Sequence, residues 1–193
     1  MADVRVQREF FDRLAPEWRK LHGVQEETLS FLLAHVPLRE NDDVLDVGSG
    51  TGVLEPYLCS RVRSVLAADV SEKMIERAKH EFSHPRVTFV AEDFYALPQT
   101  DSFDLILVFD AYPHFIDKRA FAEKAHALLR KNGQLWIFFD EPREKIDAHH
   151  VGHDPALSVG LRPATEEALL LQDFFRPVFL RDDDFYLLGL LRK

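Results

Sequence analysis

The chain has 193 residues, 46% of them hydrophobic and 30% charged, a composition that suits one domain with a full apolar core. Its 33 acidic against 24 basic side chains give a formal charge of -9, so its surface repels phosphate backbones and nucleic acid is not an expected partner. No apolar run is long enough for a bilayer span, and the N-terminal MADVRVQREF has no signal-peptide core. The lone Cys59 excludes an internal disulfide and a cysteine zinc cluster. The expectation is a soluble cytoplasmic protein, monomer or homodimer, with no membrane attachment.

In chain order, DVRVQREFFDRLAPEWRKL reads as a helix broken or bent near Pro16. QEETLSFLLAHV follows as a second helix, with Leu29, Leu32, Leu33 and Val36 along one side. Short β-rich runs then occupy 44–47, 64–69, 86–93, 103–110 and 134–140, separated by helical patterns at 53–60, 71–82 and 117–130. Ser71 is a candidate cap for the helix that follows it, and KNG, ending at Gly133, reads as a helix stop. Strands that are apolar throughout and alternate with helices imply a parallel sheet covered on both faces, a doubly wound α/β fold. The stretch 141–175 is a loop-rich insertion followed by a helix, and RPVFLRDDDFYLLGLLRK closes the chain as two strands turning at 182–184. The expectation is a single domain over 1–193, with an N-terminal helical segment at 1–38 and an insertion at 141–163.

VLDVGSGTG, 44–52, runs a buried strand straight into three glycines. Glycine there serves a sharp turn or a close approach, and the backbone amides at the start of the next helix can face a ligand. In an open α/β sheet, ligands bind beyond the carboxyl ends of the strands. Asp69 closes the second strand, where an acceptor-only carboxylate suits two neighbouring ribose hydroxyls. Asp93 closes the third, where it can accept from an adenine amino group. The dinucleotide pattern G-x-G-x-x-G/A is not met, because Val53 occupies its third small position. That counts against NAD and for a compact nucleoside with an amino-acid tail.

At these residues the chain resembles the class I S-adenosylmethionine-dependent methyltransferases. VLDVGSGTG, AADVSEKM, AEDFYALP, FDLILVFDAYPHF and LLRKNGQLWIFF are similar to that family's successive strand motifs, although Lys131-Asn132-Gly133 departs from the usual Pro-Gly-Gly turn. REFFDRLAPEWRK is similar to the helix that folds over the cofactor in many small-molecule members. The resemblance implies a Rossmann-like, mostly parallel seven-stranded sheet with an antiparallel last strand. It implies S-adenosyl-L-methionine as cofactor, with Gly48, Ser49, Gly50 and Gly52 along the methionine moiety and Asp46 orienting its amino-acid end. It further implies Asp69 and Val70 at the ribose, Met74, Asp93 and Phe94 at the adenine, and Asp110 with Ala111 facing the sulfonium.

Methyl transfer from a sulfonium needs alignment and a water-poor cavity more than it needs acid or base. Phe11, Trp18 and Tyr112 are candidate aromatics for the positive sulfur, against plain packing of an amphipathic helix for the first two. His114, just past the fourth strand, is a candidate general base, and Tyr112 beside it is the second candidate catalytic residue. His149, His150 and His153 in the insertion are candidates for the acceptor pocket or, at i and i+4, for a metal, although Gly152 weakens a helix there; no metal is assigned. The expected partner is a small-molecule methyl acceptor. The rival readings are an NAD-type oxidoreductase and a non-catalytic S-adenosylmethionine-binding subunit. Methylation of a macromolecule is disfavoured because DAYP stands where an N-P-P-Y-like motif would lie.

Overall fold

Val44 and Leu45, adjacent in sequence, enter different cores on opposite faces of one sheet, as the alternation of a strand requires. The structure, a computed structural model, describes residues 4–150, 152 and 154–193. Strands β1 (Asp43–Val47), β2 (Ser64–Asp69), β3 (Val87–Ala91), β4 (Phe103–Phe109), β5 (Leu129–Phe139), β6 (Phe175–Asp182) and β7 (Tyr186–Arg192) form one sheet in the order β3-β2-β1-β4-β5-β7-β6. β1 to β5 pair in parallel, and β7 lies antiparallel between β5 and β6. This is the doubly wound α/β arrangement expected. The outer strand β6 carries Pro177 at a register shift and charged Arg176, Arg181 and Asp182, which blunt an edge open to further pairing.

The helices are α1 (Val4–Leu14), α2 (Trp18–Leu21), α3 (Glu26–Leu33), α4 (Glu55–Leu58), α5 (Glu72–Glu81), α6 (Lys118–Leu128), α7 (Arg143–His150) and α8 (Ala164–Leu170). One core joins Leu29, Leu32 and Leu33 of α3 and Leu58 of α4 to Val44, Leu105 and Leu107. The other joins Phe121 and Ala125 of α6 and Ala164 and Ala168 of α8 to Leu45, Ile106 and Ile137. Ser71 caps α5 as expected, its Oγ accepting from Met74 N at 3.1 Å. Pro16 separates α1 from α2 through a 3-10 turn over Ala15–Glu17.

Two boundaries differ from the sequence expectation. The helix expected at 53–60 shortens to α4, since Gly52 precedes it and Pro56 stands in its first turn. The helix expected at 117–130 ends at Leu128, and KNG lies inside β5. There the ladder passes from Phe103↔Leu129 directly to Leu105↔Gln134, so 130–133 bulge out, and Asn132 takes φ +65. KNG turns a strand, not a helix end. Among the described residues, no helix is long and apolar enough to cross a membrane.

Candidate active site

The parallel strands β1, β2 and β4 aim their carboxyl ends at one cavity of about 1300 Å³, which also takes in the residues just beyond β3 and β5. Small-molecule pockets usually span about 300–1,000 Å³, so this one has room for two ligands side by side. α1 and α2 close its near side through Phe10, Phe11, Leu14 and Trp18. α1 is tied down across the strand tips. Arg8 Nε donates to Val70 O at 3.0 Å, Gln7 Nε2 to His114 O at 2.5 Å, and Asp12 Oδ1 accepts from Ser71 Oγ at 2.5 Å and Lys73 N at 3.1 Å.

Two glycines shape the turn after β1. Gly48 lies at φ +72, and a Cβ there would meet Ala111 Cβ at 2.6 Å, so the tips of β1 and β4 approach as closely as they do only because the position is glycine. Gly52 lies at φ +79 with Phe89 at 3.1 Å and Ala78 at 3.3 Å from its Cβ position. It serves the contact between this turn, β3 and α5, and stands outside the cavity wall. Its part is to shape the turn whose neighbours, Thr51 and Val53, do line the cavity. Gly48, Ser49 and Gly50 do line the cavity.

Asp69 ties the glycine turn to the second strand tip. Its Oδ2 accepts from Gly50 N at 2.9 Å and its Oδ1 from Ser71 N at 2.8 Å. Burial, opposed by these two amides, pushes its carboxyl up to about 6. Each carboxylate oxygen retains a second lone pair for a ribose hydroxyl. Asp93 caps the turn at Phe94–Ala96 by accepting from Tyr95 N at 3.0 Å, and it lines the cavity with Phe94, Val70 and Met74. Asp46, 2% exposed, also lines it, and its Oδ2 meets no hydrogen-bond partner among the described residues; Ser49 Oγ is in the same state. Buried polar atoms without partners are uncommon in folded proteins, and here both belong to residues that line the cavity.

The far end of the cavity is acidic. Asp110, at φ +50, stands beyond β4 beside Asp140 beyond β5, with Glu141 next to them. Asp110 is exposed towards the cavity, yet desolvation by the surrounding protein, followed by the neighbouring Asp140 charge, raises its carboxyl; burial and then Glu141 push Asp140 up as well. His149 Nδ1 lies 3.5 Å from Glu141 Oε2, and His149 and His150 of α7 both face the cavity. His153 lies outside the described residues. Among those described, no group of three or more His, Cys, Asp or Glu residues has a metal-holding arrangement.

His114 lines the cavity with its Nδ1 2.9 Å from Leu157 O, a contact that makes Nδ1 the donor and Nε2 the basic nitrogen. Its ring meets Phe11 edge-on at 4.9 Å, and Phe11 in turn meets Trp18 at 5.8 Å. Tyr112 does not join them. It is fully buried on the other side of the 3-10 turn Tyr112–His114, and its hydroxyl donates to Glu167 Oε1 at 2.6 Å while Lys118 Nζ stands 3.6 Å over its ring. The expectation of a catalytic or sulfonium-facing Tyr112 is corrected: it anchors the turn that presents His114.

Sequence reasoning passed over Asp140, Glu141 and Glu55. Asp140 carried a readable signal, since QLWIFFD repeats the apolar-run-then-Asp pattern of FDLILVFD.

This arrangement, ligand space beyond the carboxyl ends of β1 to β5 with β7 reversed, is the class I methyltransferase fold. Residues 44–133 match a family described as a methyltransferase domain. The chain is similar to Ubiquinone biosynthesis O-methyltransferase of Pelagibacter ubique, 27% identical over 149 residues that cover 67% of this chain and 62% of that protein. It is 35% identical over 72 residues to "Probable ribosomal RNA small subunit methyltransferase A" of Methanopyrus kandleri, covering 37% of this chain and 26% of that one. In fold it is similar to the solved DhpI-SAH complex structure, at 17% identity and a TM-score of 0.77 over 99% of this chain and 97% of that one. The chain spans 26% to 62% of the length of the first curated relatives it matches.

Proposed function

We propose that the protein is an S-adenosyl-L-methionine-dependent methyltransferase acting on a small-molecule acceptor. The observation that carries this reading is the convergence of Gly48–Gly50, Asp46, Asp69 and Asp93 on one cavity. Bound there, the cofactor supplies an activated methyl on a positive sulfur. Asp69 would hold the ribose, Asp93 and Phe94 the adenine edge, Met74 one adenine face, and Asp46 with Ser49 the amino-acid end. Phe11 and Trp18 would shield the sulfonium region from water and face its charge with their rings. The segment 1–38 would act as the lid whose closed position the Arg8, Gln7 and Asp12 contacts hold.

Asp110, Asp140, His114, His149 and His150 would border the acceptor, from the turn after β4, the end of β5 and the insertion at 141–163. Among the described residues, the cavity wall carries nine carboxyl residues and Arg19 as its one guanidinium, which supports a neutral or cationic acceptor over an anionic one. His114 Nε2 would take the acceptor's proton where the acceptor has one to lose. An NAD-type oxidoreductase is poorly supported, since the third dinucleotide position is Val53.

Replacing His114 with Ala should lower turnover by about 100-fold or more on any acceptor the wild type methylates, read as S-adenosylhomocysteine released. Affinity for S-adenosylhomocysteine should stay within about threefold of wild type. Unchanged turnover removes His114 from the mechanism. Cofactor binding without turnover on neutral or amine acceptors would favour the non-catalytic binding subunit.

A further inference from the structure

Beneath the cavity floor lies a second carboxyl that the proposed chemistry does not use. Glu55, in the first turn of α4, is 0% exposed, and its oxygens meet no well-formed hydrogen bond among the described residues, with only the local amides of Leu54 and Glu55 itself near enough to lower its carboxyl. It stands outside the cavity wall, within hydrogen-bonding reach of Asp46, a cavity-lining residue whose buried Oδ2 likewise meets no donor among the described residues. Two buried carboxyls at this separation hold together only when a proton lies between them.

The charged groups around the pair are few. Asp69 on β2 faces Asp46 and adds negative charge. Arg19 on α2 is the cation that acts on Glu55, and it is already engaged by Glu81 at 2.7 Å. Burial, reinforced for Asp46 by the Glu55 charge, raises both carboxyls above their ordinary range. The ligand-free protein thus keeps at least one proton on the pair near neutral pH.

We propose that Glu55 is a positioning residue for the amino-acid end of the ligand: it shares a proton with Asp46 in the ligand-free protein, and docking of a cationic ammonium on Asp46 expels that proton to solvent. The inference rests on the reading of the cavity as an S-adenosylmethionine site. Proton balance is simple. The pair goes from one negative charge towards two, the arriving ammonium offsets the added charge, and the proton passes to the buffer. Because a proton leaves on binding, affinity rises with pH across the titration of the pair, by up to about tenfold per pH unit.

The test is calorimetric titration with S-adenosylhomocysteine in phosphate and in imidazole at matched pH, the difference in heat giving the protons released. Wild type should release a sizeable fraction of one proton and bind more tightly as pH rises. Glu55→Gln, which keeps the shape but removes the shared proton, should release far fewer and bind with a flattened pH profile. Should Glu55→Gln fail to fold, Asp46→Asn breaks the same pair and takes its place. Binding by wild type with no proton release overturns the inference while leaving the cofactor reading intact, as does an unchanged proton count in the variant. No binding of S-adenosylhomocysteine at any pH defeats the cofactor reading itself.

Discussion

Asp69→Ala should weaken affinity for S-adenosylhomocysteine by roughly 100-fold while leaving the protein folded. The substitution removes two bonds from backbone amides to a charged acceptor, at Gly50 N and Ser71 N, each worth about 1.5–3 kcal/mol, and with them the ribose acceptor. Gly50 N is the link between the glycine turn and the second strand tip, so its loss loosens the methionine side of the site as well. Stability without ligand should change much less, because the substitution also removes an enclosed charge. With its carboxyl raised to about 6, the folded protein binds more protons than the unfolded chain between the ordinary aspartate range and that value. Asp69 therefore costs the wild type stability as pH rises through about 6, and the variant lacks that component. Titration calorimetry and urea unfolding at acid and neutral pH measure both effects. An affinity within about threefold of wild type would remove Asp69 from the ligand site.

Gly48→Ala carries the largest structural penalty. At φ +72 an alanine costs about 1–2 kcal/mol, and a Cβ placed 2.6 Å from Ala111 Cβ forces apart the tips of β1 and β4 at a further cost of about 1–3 kcal/mol. In a domain of this size the sum corresponds to a fall in Tm of roughly 5–15 °C. Cofactor affinity should fall with it, because the same displacement moves Ser49 and Asp46. The double variant Gly48→Ala with Ala111→Gly restores the room, though not the backbone preference, and should recover part of the lost stability. A Tm unchanged in the single variant, or no recovery in the double, contradicts the close approach of the two tips.

The fold was legible in the sequence because both of its periodicities were strong. Apolar runs such as LILVF and LWIFF, buried on both faces, left little choice but a parallel sheet, and DDD between two apolar runs marked the final hairpin. Ser71 was legible as a cap because an N-cap depends on its own local backbone. KNG was misread because Asn at φ +65 suits a strand bulge as well as a helix end, and only pairing with β4 decides between them. Residues at strand ends were legible as neighbours of one cavity, and residues whose direction depends on a turn were not. Tyr112 and His114 belong to one 3-10 turn, yet the first is turned into the core against Glu167 and the second towards the cavity. Gly52 repeats the spacing of Gly48 but meets Phe89 and Ala78, neighbours that come from β3 and α5. Glu55 carried no signal, since its place beside Asp46 follows from how α4 seats against the sheet at β2.

The central claim is that the tips of β1, β2 and β3 together hold one adenosyl amino acid. Parallel calorimetric titrations of the purified protein with S-adenosylhomocysteine and with NADH test it most directly. The account predicts saturable one-to-one binding of S-adenosylhomocysteine, abolished or strongly weakened in Asp69→Ala, and no binding of NADH. Binding of NADH with none of S-adenosylhomocysteine would contradict it.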